Sequence, residues 1–363
     1  MSETSYKPDR VSIPGETLQE LLIMNNLSQA DLAERMGRPK KTINEIIAGK
    51  TAITPETAIQ LERVFKTSAQ FWLNREARYR AWLAEQAEDN VLKTKLDDLK
   101  LFPIKELVSL GWISEQKDRL LLLKELLSFF GVASIDRIPQ VTEVAFRRSE
   151  AYSTNPWALA AWLRKGELDA IPQTCKPFSK NELLRVLANA RSLTNEKPEQ
   201  FVPKLITMFN SAGICLVFTP CLQKTNVSGA TRWVTHDKAV LQLSLRHRTN
   251  DHFWFSLFHE SAHLLLGHAK REILLEVASE QTLDPREAEA NKVASELLIP
   301  DEYAQMLHGD VTSTTIRKIA RELDLAPGIV VGRYQFLTKQ FNRFNDLKVS
   351  YDINDFCSVS LTQ

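Results

Sequence analysis

Five consecutive residues, His259-Glu260-Ser261-Ala262-His263, have the types and spacing of a site that handles a metal ion and a proton. Histidines four apart lie one turn apart on the same face of a helix, so both imidazoles can point at one ion. Glu260 projects beside them, placed to take a proton from water activated by that ion. Zinc lowers the pKa of such water to about 7, making hydroxide available at neutral pH. The surrounding segment, DHFWFSLFHESAHLLLGH, is apolar at almost every position, the pattern of a buried helix. A single zinc ion is the expected cofactor.

Two imidazoles leave a tetrahedral ion short of protein ligands. In the pattern H-E-x-x-H-x-x-G-x-x-H the third histidine would fall at Ala269, and the glycine is out of register at Gly267. A carboxylate from a later helix is the other solution. The stretch DPREAEANKVASELLIP supplies one, with Asp284-Pro285 at a helix start and Glu287, Ala290, Asn291 and Ala294 at helical spacing. Glu287 is the expected third ligand. Glu289, roughly 160–200° around the helix from it, is the alternative. Asn291, one turn after Glu287, is placed to orient the carboxylate or a histidine. For a second electrophile facing the oxyanion, Tyr303, Tyr334, Arg333 and His236 are all open candidates. His236, His247 and His252 are expected in or near surface loops. His268 is expected to cap the metal helix, where its charge meets the C-terminal dipole, and His308 to mark another helix end.

Those side chains need a helix for the histidine pair, a second helix for the glutamate and strands to pack them against. GICLVF at 213–218, bounded by Gly213 and Pro220, reads as a buried strand, and ATRWV and AVLQLSL as two more. The first 80 residues read differently, as short amphipathic helices. Leu18, Leu21 and Leu22 fall at helical spacing, and Ser28 caps a helix with Leu32, Ala33 and Met36 inside and Gly37 at its end. Pro39 opens the next helix, with Ile43, Ile46 and Ile47 on its buried face. Its outer face carries Lys40, Lys41, Thr42, Asn44 and Glu45. Two short helices joined by a glycine turn make a helix-turn-helix, whose second helix enters the major groove. Arg38, Lys40, Lys41 and Lys50 put positive charge where phosphates would lie, and Gln29, Thr42 and Asn44 can reach phosphates or base edges.

Composition sets the limits. The 363 residues carry Lys+Arg 46 against Asp+Glu 45, so no global basic field attracts nucleic acid, and any DNA contact is local. Cys175, Cys215, Cys221 and Cys357 form no C-x-x-C pair, which argues against a disulfide scaffold, a thiolate zinc site and an oxidising compartment. MSETSYKPDR lacks the apolar region of a signal peptide, and no apolar run approaches a membrane span of about 20 residues. Between the two functional regions lies a helical stretch, with Trp112, Phe129, Phe130, Trp157 and Trp162 as core aromatics. The fold class is thus mainly α with a small β-sheet (α+β). The expected domains are a helix-turn-helix bundle at 1–82, a helical connecting region at 83–200, a zincin-like domain at 201–345 and a tail at 346–363.

Two resemblances sharpen these expectations. LSQADLAERMGRPKKTINEIIAGKTAITPETAIQLERVF, followed by FWLNREARYR, resembles the Cro/repressor-type helix-turn-helix of HigA-type antidote proteins from toxin–antitoxin modules. FSLFHESAHLLLGH with EAEANKVASELLIP resembles the ImmA/IrrE family of zinc metallopeptidases. That likeness implies His259, His263 and Glu287 as metal ligands and Glu260 as general base and acid, with Val293 replacing a common Phe in a packing position. IRKIARELDLAPGIVVGRYQFL resembles the helices closing that family's domain, with Arg333 at a recurrent arginine position. SGATRW, LQLSLRHRTNDHFWFSLFHE and APGIVVGRYQ extend a likeness to HigA-type regulators fused to such a peptidase over nearly the whole chain. The implied protein is a cytoplasmic DNA-binding regulator with a zinc-dependent endopeptidase domain that cleaves a repressor, an antitoxin or itself. The alternative is a non-catalytic antitoxin or autorepressor whose zincin-like domain is a sensor or a platform for partners. Double-stranded operator DNA, a protein substrate or cognate toxin, and a second copy in a homodimer are the expected partners, and no membrane is.

Overall fold

The computed structural model describes residues 11–141, 155–268, 274–277 and 285–360. The chain divides into two compact units, Met1–Asp97 and Asp98–Gln363.

In the first unit, α1 (Pro14–Met24), α2 (Gln29–Met36), α3 (Lys40–Ile47), α4 (Pro55–Phe65) and α5 (Ala69–Lys93) close around one core. Ser28 accepts from Asp31 N while Asp31 accepts from Ser28 N, a capping box that fixes where α2 begins. Leu18, Leu22, Leu32, Met36, Ile43, Ile46, Leu61 and Trp72 are buried together, as the helical spacing of the first three helices predicts. Leu21 and Ile47 pack against this core from half-buried positions. A domain boundary at residue 82 falls inside α5, which continues unbroken for 25 residues.

The second unit is built on a four-stranded sheet of β1 (Ile214–Phe218), β2 (Val227–Trp233), β3 (Ala239–Leu243) and β4 (Leu274–Val277), in the order β1-β3-β2-β4. β1 and β3 run parallel, and β2 is antiparallel to both β3 and β4. Three of these strands match the sequence expectation. β4 is additional: four residues give too short an alternation to stand out. One face of the sheet packs against α12 (Asn250–Leu266), together with α11 (Pro198–Ser211), α13 (Pro285–Leu298), α15 (Ser313–Glu322) and α16 (Pro327–Thr338). The opposite face is covered by α9 (Pro156–Ala170). There Trp162 Nε1 donates to Thr219 O, and Gln242 Nε2 donates to Trp162 O.

Of the helical middle expected at 83–200, residues 83–93 continue α5 in the first unit, and the described residues from 98 onward fall in the second. Phe129, Phe130 and Trp162 are buried as expected, while Trp112 and Trp157 are half-buried. The described residues 346–360 do not form a tail. α17 (Ile353–Ser360) puts Phe356, 0% exposed, among Phe201, Phe218, Phe253 and Tyr351. Asp284, the expected start of α13, lies outside the described residues. Among the described residues no helix is long and apolar enough to cross a membrane.

Gly15 lets α1 cross α3 at backbone contact, since a Cβ there would come within 2.2 Å of Ile47 O. Gly15→Ala is expected to destabilise the first unit by about 1–3 kcal/mol. Hydrogen exchange of core amides in α1 and α3 checks this, and unchanged protection would contradict the close packing.

Candidate metal centre and its cleft

α12 carries the histidine pair because nearly all of its surface is covered, from Asn250 through Leu264. Within it His259, Glu260 and His263 are each at most 1% exposed. Burying three ionisable groups on one turn is costly unless they serve one another or a shared ion. α13 brings Glu287 in from the side: Glu287 Oε2 lies 3.1 Å from His259 Nε2 and 3.6 Å from His263 Nε2. The two imidazole Nε2 atoms are 3.1 Å apart. Three donors from two helices thus converge on one point.

The convergence fits a metal ion. Ligands about 2.0–2.1 Å from a tetrahedral zinc sit about 3.3 Å from one another, and the three observed separations bracket that value. Glu287 Oε1 is buried with no hydrogen-bond partner among the described residues. Burial alone would push the Glu287 carboxyl up, but hydrogen bonding to His259 and His263 overcomes this and holds it well below the usual carboxylate range. Burial holds the His263 imidazole below its ordinary value against the opposing pull of Glu287, so its neutral, ligating form is favoured.

Glu289, the alternative ligand, is placed elsewhere. His263 Nδ1 lies 3.2 Å from His268 Nδ1, and His268 Nε2 lies 3.2 Å from Glu289 Oε2. The acceptor-only Glu289 carboxylate assigns the protons along this chain. With an ion bound, His268 Nε2–H would donate to Glu289 and His263 Nδ1–H to His268, leaving the His263 Nε2 lone pair for the metal. His268, expected to meet the helix dipole with a pocket role left open, therefore sits behind a candidate ligand. The expected hydrogen bond from Asn291 to the Glu287 carboxylate or a histidine is not seen among the described residues, and Asn291 instead lines the adjoining cleft.

Glu260 faces the sheet. Its Oε2 accepts from Thr231 Oγ1 at 2.5 Å, and a Cβ on Gly229 would lie 2.7 Å from Glu260 Cγ. Strand alternation puts Gly229 and Thr231 on the same face of β2. Neither was singled out from sequence; the available signal was a small residue two before a hydroxyl on a strand preceding the histidine helix.

A cleft of about 650 Å³ opens beside the donors, with His259, Glu287, Asn291, Ser295, Arg333 and Phe336 on its wall. Of the four oxyanion candidates Arg333 alone lines it. Arg333 Nη1 donates to Ser295 Oγ at 3.0 Å. Tyr334 OH is engaged with Gln340 and Arg343, and the His236 side chain is 91% exposed beside Asp237. His252 belongs to the first turn of α12 rather than to a loop, and its ring stacks on that of exposed His247.

In the first unit, Lys40, Lys41, Asn44 and Lys50 are exposed, and Gln29 and Thr42 are half-buried. Arg38 is tied down within the unit, its Nε donating to Gln60 Oε1 at 2.6 Å. Lys41 pairs loosely with Glu45 at 3.9 Å.

The two units define a class: a helix-turn-helix joined to a metallopeptidase-type fold. Residues 18–72 match the helix-turn-helix family profile, and residues 210–331 match the IrrE N-terminal-like domain of peptidase family M78. An uncharacterized HTH-type transcriptional regulator of Escherichia coli K12, YddM, is 37% identical over 83 residues, which are 23% of this chain and 85% of that protein. Virulence-associated protein I of Dichelobacter nodosus is 38% identical over 79 residues, 22% of this chain and 73% of that one. Among solved structures, Pseudomonas aeruginosa antitoxin HigA with the higBA promoter is 34% identical, covering 24% of this chain and 95% of that chain with a TM-score of 0.22. PA4674 from the same organism, in complex with its operator DNA, is 38% identical over 22% of this chain and 85% of that chain, TM-score 0.21. The chain belongs to the family of helix-turn-helix transcriptional regulators, and its C-terminal unit carries an IrrE-like peptidase domain.

Gly229→Ala is expected to displace the Glu260 carboxylate and break its bond to Thr231, costing about 1–3 kcal/mol. Thermal denaturation with a crystal structure of the variant checks both, and a Glu260 left in place would contradict the contact.

Proposed function

We propose that this chain is a DNA-binding regulator of the bacterial cytoplasm whose second unit is a zinc-dependent endopeptidase. The carrying observation is the convergence of His259, His263 and Glu287 on one point at the wall of a cleft, with Glu260 in the same turn of helix. These three residues would hold one zinc ion, whose Lewis acidity polarises a carbonyl and lowers the pKa of water toward 7. Glu260, its Oε2 braced by Thr231, would take the proton of the attacking water and pass it to the leaving amine. Arg333 is positioned on the cleft wall to face the developing oxyanion. Phe336 and Phe341, 58% and 61% exposed, give the cleft apolar anchors suited to a side chain of a protein substrate. Behind the donors, Glu289 and His268 fix the His263 tautomer. The substrate is a protein whose extended segment enters the cleft: a repressor, an antitoxin or another copy of this chain.

In the first unit, α3 is the helix that enters the major groove. Exposed Lys40 and Lys41 in its first turn, with Lys50 beyond its end, meet phosphates, where the helix N-terminus also favours negative charge. Asn44 and Thr42 would face base edges and Gln29 the backbone, and Arg38, its Nε held by Gln60, would offer its other guanidinium N–H groups to phosphate. A homodimer would set two such helices about 34 Å apart on one face of an operator.

Purified protein is expected to carry one zinc per chain, and His259→Ala none. Glu260→Gln should keep the metal and lose cleavage by at least about a hundredfold. Mass spectrometry of the zinc-loaded chain, incubated with itself and with a candidate repressor, reads the cut sites. Equal cleavage by wild type and Glu260→Gln would overturn the peptidase reading in favour of an inert sensor or partner platform. His268→Ala is expected to weaken zinc binding about 10–100-fold in chelator competition. On the DNA side, Lys40→Ala and Lys41→Ala should each weaken binding to all sequences alike and flatten the salt slope by about 1. Unchanged slopes would move the DNA face off α3.

A further inference from the structure

The cysteines look scattered in sequence, but the fold brings two of them together. The Cys175 and Cys215 sulfurs lie 3.2 Å apart. Cys215 is fully buried on β1, held in register opposite Val240 of β3. Cys175 is half-buried on the irregular stretch between α9 and α10 (Lys180–Ala190), flanked by exposed Thr174 and Lys176. One sulfur is thus fixed in a ladder, and the other is reachable from solvent on a segment without regular structure.

The surroundings favour reaction over inert packing. Cys175 Sγ donates to Asn210 Oδ1 at 3.1 Å. The Lys238 ammonium donates to Gln173 O at 2.9 Å, two residues from Cys175. We infer that Cys175 and Cys215 are a modification site, a thiol pair that hydroperoxides convert into an intramolecular disulfide. The pair gives up its first proton easily. Once Cys215 ionises, the Cys175 S–H turns from Asn210 to the thiolate, and Lys238 adds favourable charge, so Cys215 lies below the ordinary thiol value while Cys175 lies above it.

The chemistry closes with hydroperoxide as the oxidant. The shared proton passes from Cys175 to the Cys215 thiolate across the 3.2 Å contact, and the solvent-reachable Cys175 sulfur attacks the O–O bond: S–O forms, O–O breaks, and the departing oxygen leaves as water after taking a proton. The Cys215 sulfur then attacks the Cys175 sulfenic acid: S–S forms, S–O breaks, and hydroxide leaves as a second water. Two thiols and one hydrogen peroxide thus give one disulfide and two waters. The sulfurs must close to about 2.05 Å, and the movement falls on the Cys175 segment because β1 is fixed. The resulting bond ties the stretch after α9 to the sheet face that Ala170, Val217 and Val240 share with the two cysteines, opposite the face that α12 covers. The site is therefore independent of the peptidase reading.

The test treats the reduced, desalted full-length chain with hydrogen peroxide in the presence of a chelator, then maps it by mass spectrometry without reductant. The expected product is a Cys175–Cys215 cross-linked peptide, two hydrogens lighter than its parts and reversed by dithiothreitol. In Cys215→Ser, dimedone should trap a sulfenic acid at Cys175. Should that buried substitution fail to fold, Cys175→Ser, on the irregular segment, is expected to abolish the cross-link with the fold intact. Free Cys175 and Cys215 in the wild type while Cys221 or Cys357 oxidises would overturn the inference. So would Cys175 passing to sulfinic acid without any cross-link.

Discussion

Two imidazole nitrogens and a carboxylate oxygen that converge inside a protein favour a positive charge between them. The second unit holds His259 Nε2, His263 Nε2 and Glu287 Oε2 in that arrangement, and the proton assignments behind them leave little freedom. With Glu289 accepting from His268, and His268 accepting from His263, the His263 Nε2 facing the cluster would be the nitrogen offered to an ion. Glu287 and Glu260 are both buried carboxylates within the same pair of helices. A protonated imidazole can balance one negative charge, but burial disfavours that form at His263. A divalent cation would satisfy all three donors at once.

The rest of the unit can be understood as what keeps that cluster in place. α12 is covered on nearly all sides, so its histidines cannot swing toward solvent. The sheet does more than support it. β2 approaches closely enough at Gly229 that only hydrogen fits against Glu260, and Thr231 on the same strand face fixes one carboxylate oxygen. α9, on the opposite face, ties the sheet through Trp162 and Gln242, so the strands that position Glu260 are braced from behind. α17 completes the packing with Phe356 in an aromatic cluster that includes Phe253 of α12. Removing either flank would loosen a carboxylate whose direction decides where a proton goes.

Much of this was legible in the sequence, and the reasons differ from element to element. The histidine helix was readable because metal-ligand spacing and all-round apolarity coincide in one segment. α2 and α3 were readable because capping residues, a turn glycine and a three-isoleucine stripe agree. Glu287 was reachable only as one of two carboxylates, since helical spacing gives direction around an axis but not which face meets a distant helix. The role of His268 was hidden because its partners, His263 and Glu289, come together only when α13 docks on α12. The same holds for Cys175 and Cys215, whose meeting depends on the loop after α9 folding back on β1. β4 was missed because a four-residue strand carries almost no periodic signal, and the core role of the last residues because Tyr351 and Phe356 are isolated aromatics in a polar stretch.

If the second unit cuts as proposed, a DNA-reading unit and a hydrolytic unit on one chain would make a regulator whose output is altered by cutting. That logic depends on the ion. X-ray absorption at the zinc edge of the purified, zinc-loaded chain tests it most directly. The expected first shell contains only nitrogen and oxygen at about 2.0–2.1 Å, with the outer scattering of two imidazoles. A sulfur shell near about 2.3 Å, or a spectrum showing a single imidazole, would place the metal elsewhere and leave the His259–His263–Glu287 cluster without its proposed role.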